Sequence, residues 1–299
     1  MPYPGEVASL LTAMCYACTA VLFARAGQRV GSATVNVIRL GMALLVMFIL
    51  HLTLVGTLFP SGAGPVRLAW LGASGLIGFA LGDALLFESY VLIGPRLAVI
   101  VYTVWPVFAA LLAWAFLGQA MGPAKACAMV VTLGGIAMVV ADKDRTAGQA
   151  ARRRPTLGLV LCLGGALGQA VGFIFSKVGM AGGFSPISAN LIRVGAGASA
   201  LWAWQILRGT LVSNLRRLKD RRAALLTGLG TVLGPVIAVS LSLYAINHAR
   251  YLGVASTLMS LSPVLILPFS AFVEKERVGL LAVGGTVVAL GGATALFLV

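Results

Sequence analysis

The stretch that decides the fold is WPVFAALLAWAFLGQ, residues 105–119. It belongs to a run with no charged side chain between Leu97 and Gln119, yet it carries a proline, which removes a backbone hydrogen bond and bends a helix. A second stretch with a similar order of residues, SPVLILPFSAFVEKE, begins at Ser262. The pair indicates an apolar environment in which bent helices are tolerated.

Composition identifies that environment as a lipid bilayer. The 299 residues are 60% apolar and 10% charged, with 37 glycines and a mean hydropathy of +1.00. Ten apolar stretches have about the length needed to cross a hydrocarbon core. They cover 7–24, 34–55, 68–90, 97–117, 124–141, 156–176, 186–207, 223–246, 251–272 and 278–298. The sequence therefore predicts an all-α polytopic membrane protein with ten transmembrane helices.

Basic residues in the loops predict the orientation. The loops after odd-numbered spans hold most of the Lys and Arg, the loops after even-numbered spans hold four, and the termini hold none. Because basic loops stay in the cytoplasm, we expect the odd loops there and both termini outside, in a bacterial-type cytoplasmic membrane. The first residues, MPYPGE, include no basic side chain, so the first span is expected to remain in the mature protein. The net charge of +14 then reflects loops facing anionic lipid, and no nucleic acid is expected as a partner.

Two blocks of the sequence recur at nearly equal spacing. A shift of 157 residues places Pro106 on Pro263, and a shift of 154 places NVIRLG, from Asn36, on NLIRVG, from Asn190. Two ordered blocks at such similar shifts are rarely produced by chance. The chain is therefore predicted to contain an internal repeat.

The repeat divides the chain into two halves. Each half holds five spans, in residues 1–141 and 156–299, and a basic linker loop covers 142–155. Because five is an odd number, the two halves enter the membrane from opposite faces. Inverted repeats of this kind are typical of secondary transporters, which bind solute between the halves.

The sequence resembles the EamA family of the drug/metabolite transporter superfamily. The resemblance is carried by the two proline stretches, by LGQ at Leu117 to Gln119 and EKE at Glu274 to Glu276, and by a glycine-rich last span in each half. The resemblance covers essentially the whole chain. It implies ten helices around a central cavity, lined largely by helices 3, 4, 8 and 9, and export of small metabolites; aromatic amino-acid exporters are one such type. One position departs from the family pattern, because Gln119 replaces the acidic residue that Glu276 keeps. If that side chain caps helix 5 or 10, the first half must do so with an amide.

Two acidic residues, Asp83 and Glu88, lie inside the predicted spans. An intramembrane carboxylate is costly and needs a partner. Asp83 and Arg39 both lie about 10 Å from the same membrane face at roughly 1.5 Å per residue, so they can pair. The pair either fixes helix 2 against helix 3, or it lets Asp83 exchange a proton or a substrate ammonium group. Glu88 is a weaker candidate for that role, because it lies near the end of its span and can reach solvent.

Further candidates are polar, aromatic and proline residues in the predicted spans or at their ends. Arg193 has no obvious acid of its own, because Ser240 stands where the 157-residue shift would put Asp83. Arg193 is available for a substrate carboxylate, or it extends towards the membrane surface. Aromatic, amide and proline residues either line a cavity for a partly apolar solute or pack between helices. These candidates are Tyr90, Tyr102, Trp105, Pro106, Tyr244, Asn247 and Pro263.

These features favour a secondary transporter that exports small metabolites, foremost neutral and aromatic amino acids, by alternating access of two inverted halves. A passive facilitator or channel, or an exporter of another metabolite or drug, is compatible with the same repeat. No Gly-x4-Gly-Lys-Ser/Thr motif is present, and the four cysteines and two histidines form no metal or catalytic motif. We therefore expect no enzymatic activity, no cofactor and no metal. The expected partners are a small solute and the bilayer, and the sequence is compatible with a monomer.

Overall fold

The apolar segments form helices because backbone groups inside a bilayer must be hydrogen-bonded within the chain itself. The computed structural model describes residues 3–93, 95–142, 155–273 and 279–298, and these ranges contain α-helices and no strand. Most of the predicted linker, 143–154, lies outside them. The helices are α1 (Pro4–Val30), α2 (Ser32–Val55), α3 (Gly64–Gly75), α4 (Asp83–Ile93), α5 (Pro95–Tyr102), α6 (Trp105–Leu117), α7 (Pro123–Asp142), α8 (Pro155–Gly179), α9 (Pro186–Leu207), α10 (Leu211–Arg216), α11 (Arg221–Thr231), α12 (Val239–His248), α13 (Leu252–Met259), α14 (Ser262–Val273) and α15 (Leu280–Leu298).

Among the described residues, 8 helices are long and apolar enough to cross a membrane. Two predicted spans are outside this group. Helix α9 has 22 residues, so its length suffices, but Asn190, Arg193 and Gln205 lower its hydropathy. The other, Leu252–Leu267, is apolar but shorter. The architecture is that of a polytopic membrane protein, and the count of ten remains a prediction.

The outer surface of the bundle is apolar, as contact with lipid requires. Leu45, Leu111, Phe116 and Val130 are 64%, 54%, 72% and 64% exposed, although each is a large apolar side chain. A soluble protein would bury such residues. Their exposure on three different helices is consistent with helices surrounded by acyl chains.

The prolines of the two quoted stretches lie just after interruptions of a helix. Helix α5 ends at Tyr102 and α6 begins at Trp105, while α13 ends at Met259 and α14 begins at Ser262. Each interruption comes directly before a proline, which cannot donate the hydrogen bond that would continue the helix. The two interruptions have the 157-residue spacing of the sequence blocks.

A second pair of irregularities precedes α4 and α12. The backbone forms a π-helical segment at Leu76–Gly82 and another at Val232–Ala238. Such wide turns are rare and occur frequently at functional sites. The second segment starts 156 residues after the first, so this feature also recurs in the chain.

Helices α7 and α15 lie in close contact. A Cβ atom added to Gly135 would lie 2.3 Å from the backbone nitrogen of Ala289, and one added to Gly292 would lie 2.7 Å from the nitrogen of Thr132. Only glycine permits two helix backbones to approach so closely. This contact lies apart from the main apolar core, in which Trp105 stacks on Phe173 with ring centroids 5.4 Å apart.

Candidate functional site

A cavity of about 470 Å³ lies between helices from both parts of the chain. Segments predicted as spans 3, 4, 8 and 9 supply most of its lining, and α1, α2 and α8 supply the remainder. Both helix interruptions border it, through Thr103 in one and Ser260 in the other. Both π-helical segments border it as well, through Phe79 and Pro235. Irregular backbone is tolerated at membrane depth where it lines a cavity, because polar groups freed from the helix can be hydrated there. The position of the interruptions at the cavity is therefore consistent with a wet cavity.

An ion pair forms part of the cavity wall. Arg39 Nη2 donates a hydrogen bond to Asp83 Oδ2, and the two side chains are 16% and 18% exposed. Arg39 Nε donates to Asn36 Oδ1 at 2.8 Å, and its guanidinium lies 5.7 Å and 5.9 Å from the ring centroids of Phe23 and Phe87. The Arg39 charge is thus neutralised by a carboxylate and enclosed by two rings, while Asp83 keeps contact with the cavity.

Arg193 occupies a different environment. Its side chain is 2% exposed, so it does not extend towards the membrane surface. Its Cζ atom lies 5.0 Å and 5.6 Å from the ring centroids of Phe79 and Phe173. Its Nε and Nη1 atoms have no hydrogen-bond partner within the part of the chain that the structure describes. Arg193 is therefore absent from the cavity lining but adjacent to Phe79, which belongs to it.

Three of the predicted lining residues, Tyr102, Trp105 and Pro263, border the cavity. Pro106 is buried beside Trp105 and is absent from the lining. The side chain of Tyr90 lies outside the described residues.

The remaining candidates lie away from the cavity. Tyr244 is 37% exposed and stacks on His248 with ring centroids 3.9 Å apart. Asn247 is half-buried and Glu88 is exposed, and neither belongs to the lining. In the described ranges, no three His, Cys, Asp or Glu side chains are grouped so that they could hold a metal ion.

Sequence reasoning missed the contribution of α1 and α8. Tyr16, Thr19 and Phe23 of α1 line the cavity, as does Gln169 of α8. The available signal was the presence of polar side chains within otherwise apolar spans, which need a partner or a wet surface.

Gln119 caps a helix other than those expected. Its Oε1 atom accepts a hydrogen bond from the backbone N–H of Leu252 at 2.9 Å, so it satisfies the first turn of α13 rather than helix 5 or 10. The amide follows Gly118, whose φ of 64° ends α6 in the left-handed conformation. Glu276, the second-half counterpart, lies outside the described residues.

Apolar helices around a partly polar cavity are typical of a polytopic membrane transporter. Residues 3–141 and 156–298 match the EamA-like transporter family, and the chain belongs to that family, within the drug/metabolite transporter superfamily. Its members are membrane transporters of small molecules rather than enzymes. A crystal structure of another protein, 17% identical, matches 97% of this chain and 95% of that chain with a TM-score of 0.72, which shows the same fold. The curated proteins include no match.

Proposed function

We propose that this protein is a secondary transporter that exports small metabolites, foremost neutral and aromatic amino acids, by alternating access of two inverted five-span halves in the cytoplasmic membrane. The cavity is the observation that carries the proposal. Its volume of about 470 Å³ falls within the roughly 300–1,000 Å³ typical of small-molecule sites. Segments before and after the linker both contribute to its wall, so relative movement of the two halves would change its access.

The lining supports an amphipathic solute. Tyr16, Tyr102 and Trp105 offer aromatic surface, which suits an apolar or aromatic side chain. Thr103 and Ser260 add hydroxyl groups, which suit polar groups of the same solute. Both hydroxyl groups donate to backbone carbonyls, those of Ile100 and Ser256, so each can still accept a hydrogen bond from a solute. The combination favours neutral and aromatic amino acids over fully apolar drugs, which have no polar group for these positions.

The spacing of the irregular backbone supports two related halves. The π-helical segments and the helix interruptions each recur after 156 or 157 residues, and the family matches the chain twice. In transporters built from inverted repeats, discontinuous helices of the two halves face the binding site. Alternating access then proceeds by rocking one half against the other around that site.

Contacts join the two halves on the even-loop side of the bundle. Gln119 joins the end of α6 to the start of α13, and a Cβ added to Gly253 would lie 2.7 Å from Cβ of Ala110. The odd-loop side also carries contacts between the halves, since Arg29 Nε donates to Asp220 Oδ2 at 2.8 Å and Arg217 Nη1 donates to the carbonyl of Val30 at 2.9 Å. Alternating access would require the contacts on each side to break in turn.

Counterflow in liposomes tests the proposal. Purified protein is reconstituted with one unlabelled amino acid inside from a panel, and one labelled amino acid is added outside. We expect particular internal amino acids to accelerate uptake of the labelled amino acid. Liposomes without protein are expected to show no such acceleration. Uptake that is unaffected by internal solute would indicate a facilitator or channel, and absence of uptake by folded protein for every amino acid would reject the proposed solute class.

A further inference from the structure

The two arginines of the repeated blocks are related in sequence but differ in their partners. Arg39 donates to Asn36, three residues before it, and to Asp83. Arg193 follows Asn190 by the same three residues, yet Oδ1 of Asn190 and Nε and Nη1 of Arg193 are buried without a partner among the described residues. The second half has no carboxylate at the position equivalent to Asp83, and its guanidinium keeps two nitrogens without a partner.

The polar groups near Arg193 in the second half contact other partners. Nδ2 of Asn190 donates to the carbonyl of Pro235 at 2.8 Å and to Oγ of Ser240 at 3.0 Å. Ser240 is the residue that the 157-residue shift aligns with Asp83, and it carries no charge. Asp83 and Tyr16 interact electrostatically with Arg193, but the Asp83 carboxylate is hydrogen-bonded to Arg39.

A buried charge without a hydrogen-bonded counter-ion is costly, and a group of this kind beside a cavity is a candidate for binding a ligand that supplies the missing acceptor. An ionised carboxylate matches guanidinium best, because it accepts charge-assisted hydrogen bonds from its planar N–H groups. Phe79 and Phe173 cover the same guanidinium with their rings. The environment thus suits an anion attached to an apolar or aromatic body better than a fully hydrated inorganic ion.

Phe79 borders both this guanidinium and the cavity. It lines the cavity, its ring centroid is 5.0 Å from Cζ of Arg193, and it belongs to the π-helical segment Leu76–Gly82. A change of its side-chain rotamer would open a short path from the cavity to Arg193.

We propose that Arg193 binds the carboxylate of a small, partly apolar solute, and that Phe79 controls access to Arg193. The solute carboxylate would pair with Arg193 in the way that the Asp83 carboxylate pairs with Arg39. The inference rests on the proposed function, since it names the chemical group by which the transported solute is recognised. It restricts the substrate class to monocarboxylates with an apolar or aromatic body, amino acids included.

Ligand-dependent stability of the purified protein tests the site without transport. The probes are sodium benzoate, its uncharged counterpart benzyl alcohol, and sodium chloride at the same ionic strength. A ligand that binds only folded protein raises the melting temperature, and we expect at least about 2 °C from saturating benzoate. Benzyl alcohol and chloride are expected to give no comparable increase. Equal stabilisation by benzoate and benzyl alcohol in the unmodified protein would overturn the proposal.

Substitution assigns the response to one arginine. Arg193→Gln should abolish the benzoate response, and since it removes an unpaired buried charge it is not expected to impair folding. Arg193→Met, which refills the space between the two rings, provides the same test if the glutamine variant does not fold. Arg67→Gln is the matched control, because Arg67 also lies over a ring, that of Phe184 at 4.5 Å, but donates to two carbonyls. A full benzoate response in both Arg193 variants would also overturn the proposal.

Counterflow separates failure of the site from failure of the function. Arg193→Gln should weaken exchange of phenylalanine at least about tenfold, since it loses a charge-assisted pair. Phenylalaninol has no carboxylate, so we expect the unmodified protein to exchange it only weakly and the substitution to lower that exchange no further. Equal loss for both solutes would mean that Arg193 is structural and would reject the site. Benzoate stabilisation without any counterflow would reject the transporter proposal and leave the anion site standing.

Discussion

Replacing Asp83 by asparagine removes the charge that neutralises Arg39 and keeps the size of the side chain. Breaking a fully buried ion pair by removing one partner costs about 3–5 kcal/mol. The cost here is smaller, because the two side chains are 16% and 18% exposed, and Arg39 retains Asn36 Oδ1 and two aromatic rings. We therefore expect Asp83→Asn to lower the free energy of unfolding by about 1–2 kcal/mol.

A double-mutant cycle measures that interaction. Asp83→Asn, Arg39→Gln and the double variant are compared by unfolding with SDS in mixed micelles. The double variant should lose less stability than the sum of the single variants, by about 1 kcal/mol, because the second substitution no longer breaks a pair. Additivity within about 0.5 kcal/mol would refute the reasoning, since contacting residues that share a hydrogen bond must couple.

Asp83→Asn also distinguishes a structural ion pair from a proton-exchanging carboxylate. If Asp83 carries the proton, the variant should lose uptake driven by a pH gradient and keep solute exchange in the absence of a gradient. Unchanged dependence on the pH gradient in the variant would reject the proton role and leave Asp83 as the partner of Arg39.

Three further predictions concern the helix interruptions and the loops. Pro106→Ala should straighten the α5–α6 interruption and impair transport with modest loss of stability. Pro123→Ala, at the exposed start of α7, is the control. Normal transport by Pro106→Ala would make the bend a packing feature. Gln119→Leu should weaken the contact between the two halves on the even-loop side. Increased labelling of a cysteine placed in the cavity would report this change, and unchanged labelling would contradict the prediction. Hydrogen bonds from the backbone N–H of Ala223 and from Arg29 hold the pKa of Asp220 below its usual value. The stabilisation that Asp220 provides is thus complete above its unfolded-state pKa of about 4 and is lost as pH falls through the lower folded-state pKa, and Asp220→Ala should remove this acid dependence from thermal unfolding.

The helical segments could be predicted from the sequence because hydropathy over about 20 residues is a strong and local signal. The proximity of Arg39 and Asp83 followed from counting residues to one membrane face, since a helix rises by a fixed amount per residue. The interruptions at Pro106 and Pro263 followed from the missing N–H of proline. Each of these features depends on a few neighbouring residues or on depth alone.

The remaining features depend on how helices rotate against one another, which depth does not determine. The cavity takes Tyr16 from α1 because of the face that α1 turns inward, while Tyr244 on α12 turns outward. Arg193 was compatible with an extended side chain at the surface until packing placed it between Phe79 and Phe173. Gln119 has a partner 133 positions later in the chain, and no local pattern indicates that contact.

Counterflow by a cavity-filled variant tests most directly the central claim, that solute passes through this cavity. Ser260→Trp places a large ring in the cavity wall, whereas Val130→Trp places the same ring on the exposed, apolar face of α7. With both variants folded and reconstituted, the account predicts that internal amino acid accelerates uptake by Val130→Trp and fails to do so in Ser260→Trp. Full exchange by folded Ser260→Trp would contradict the account.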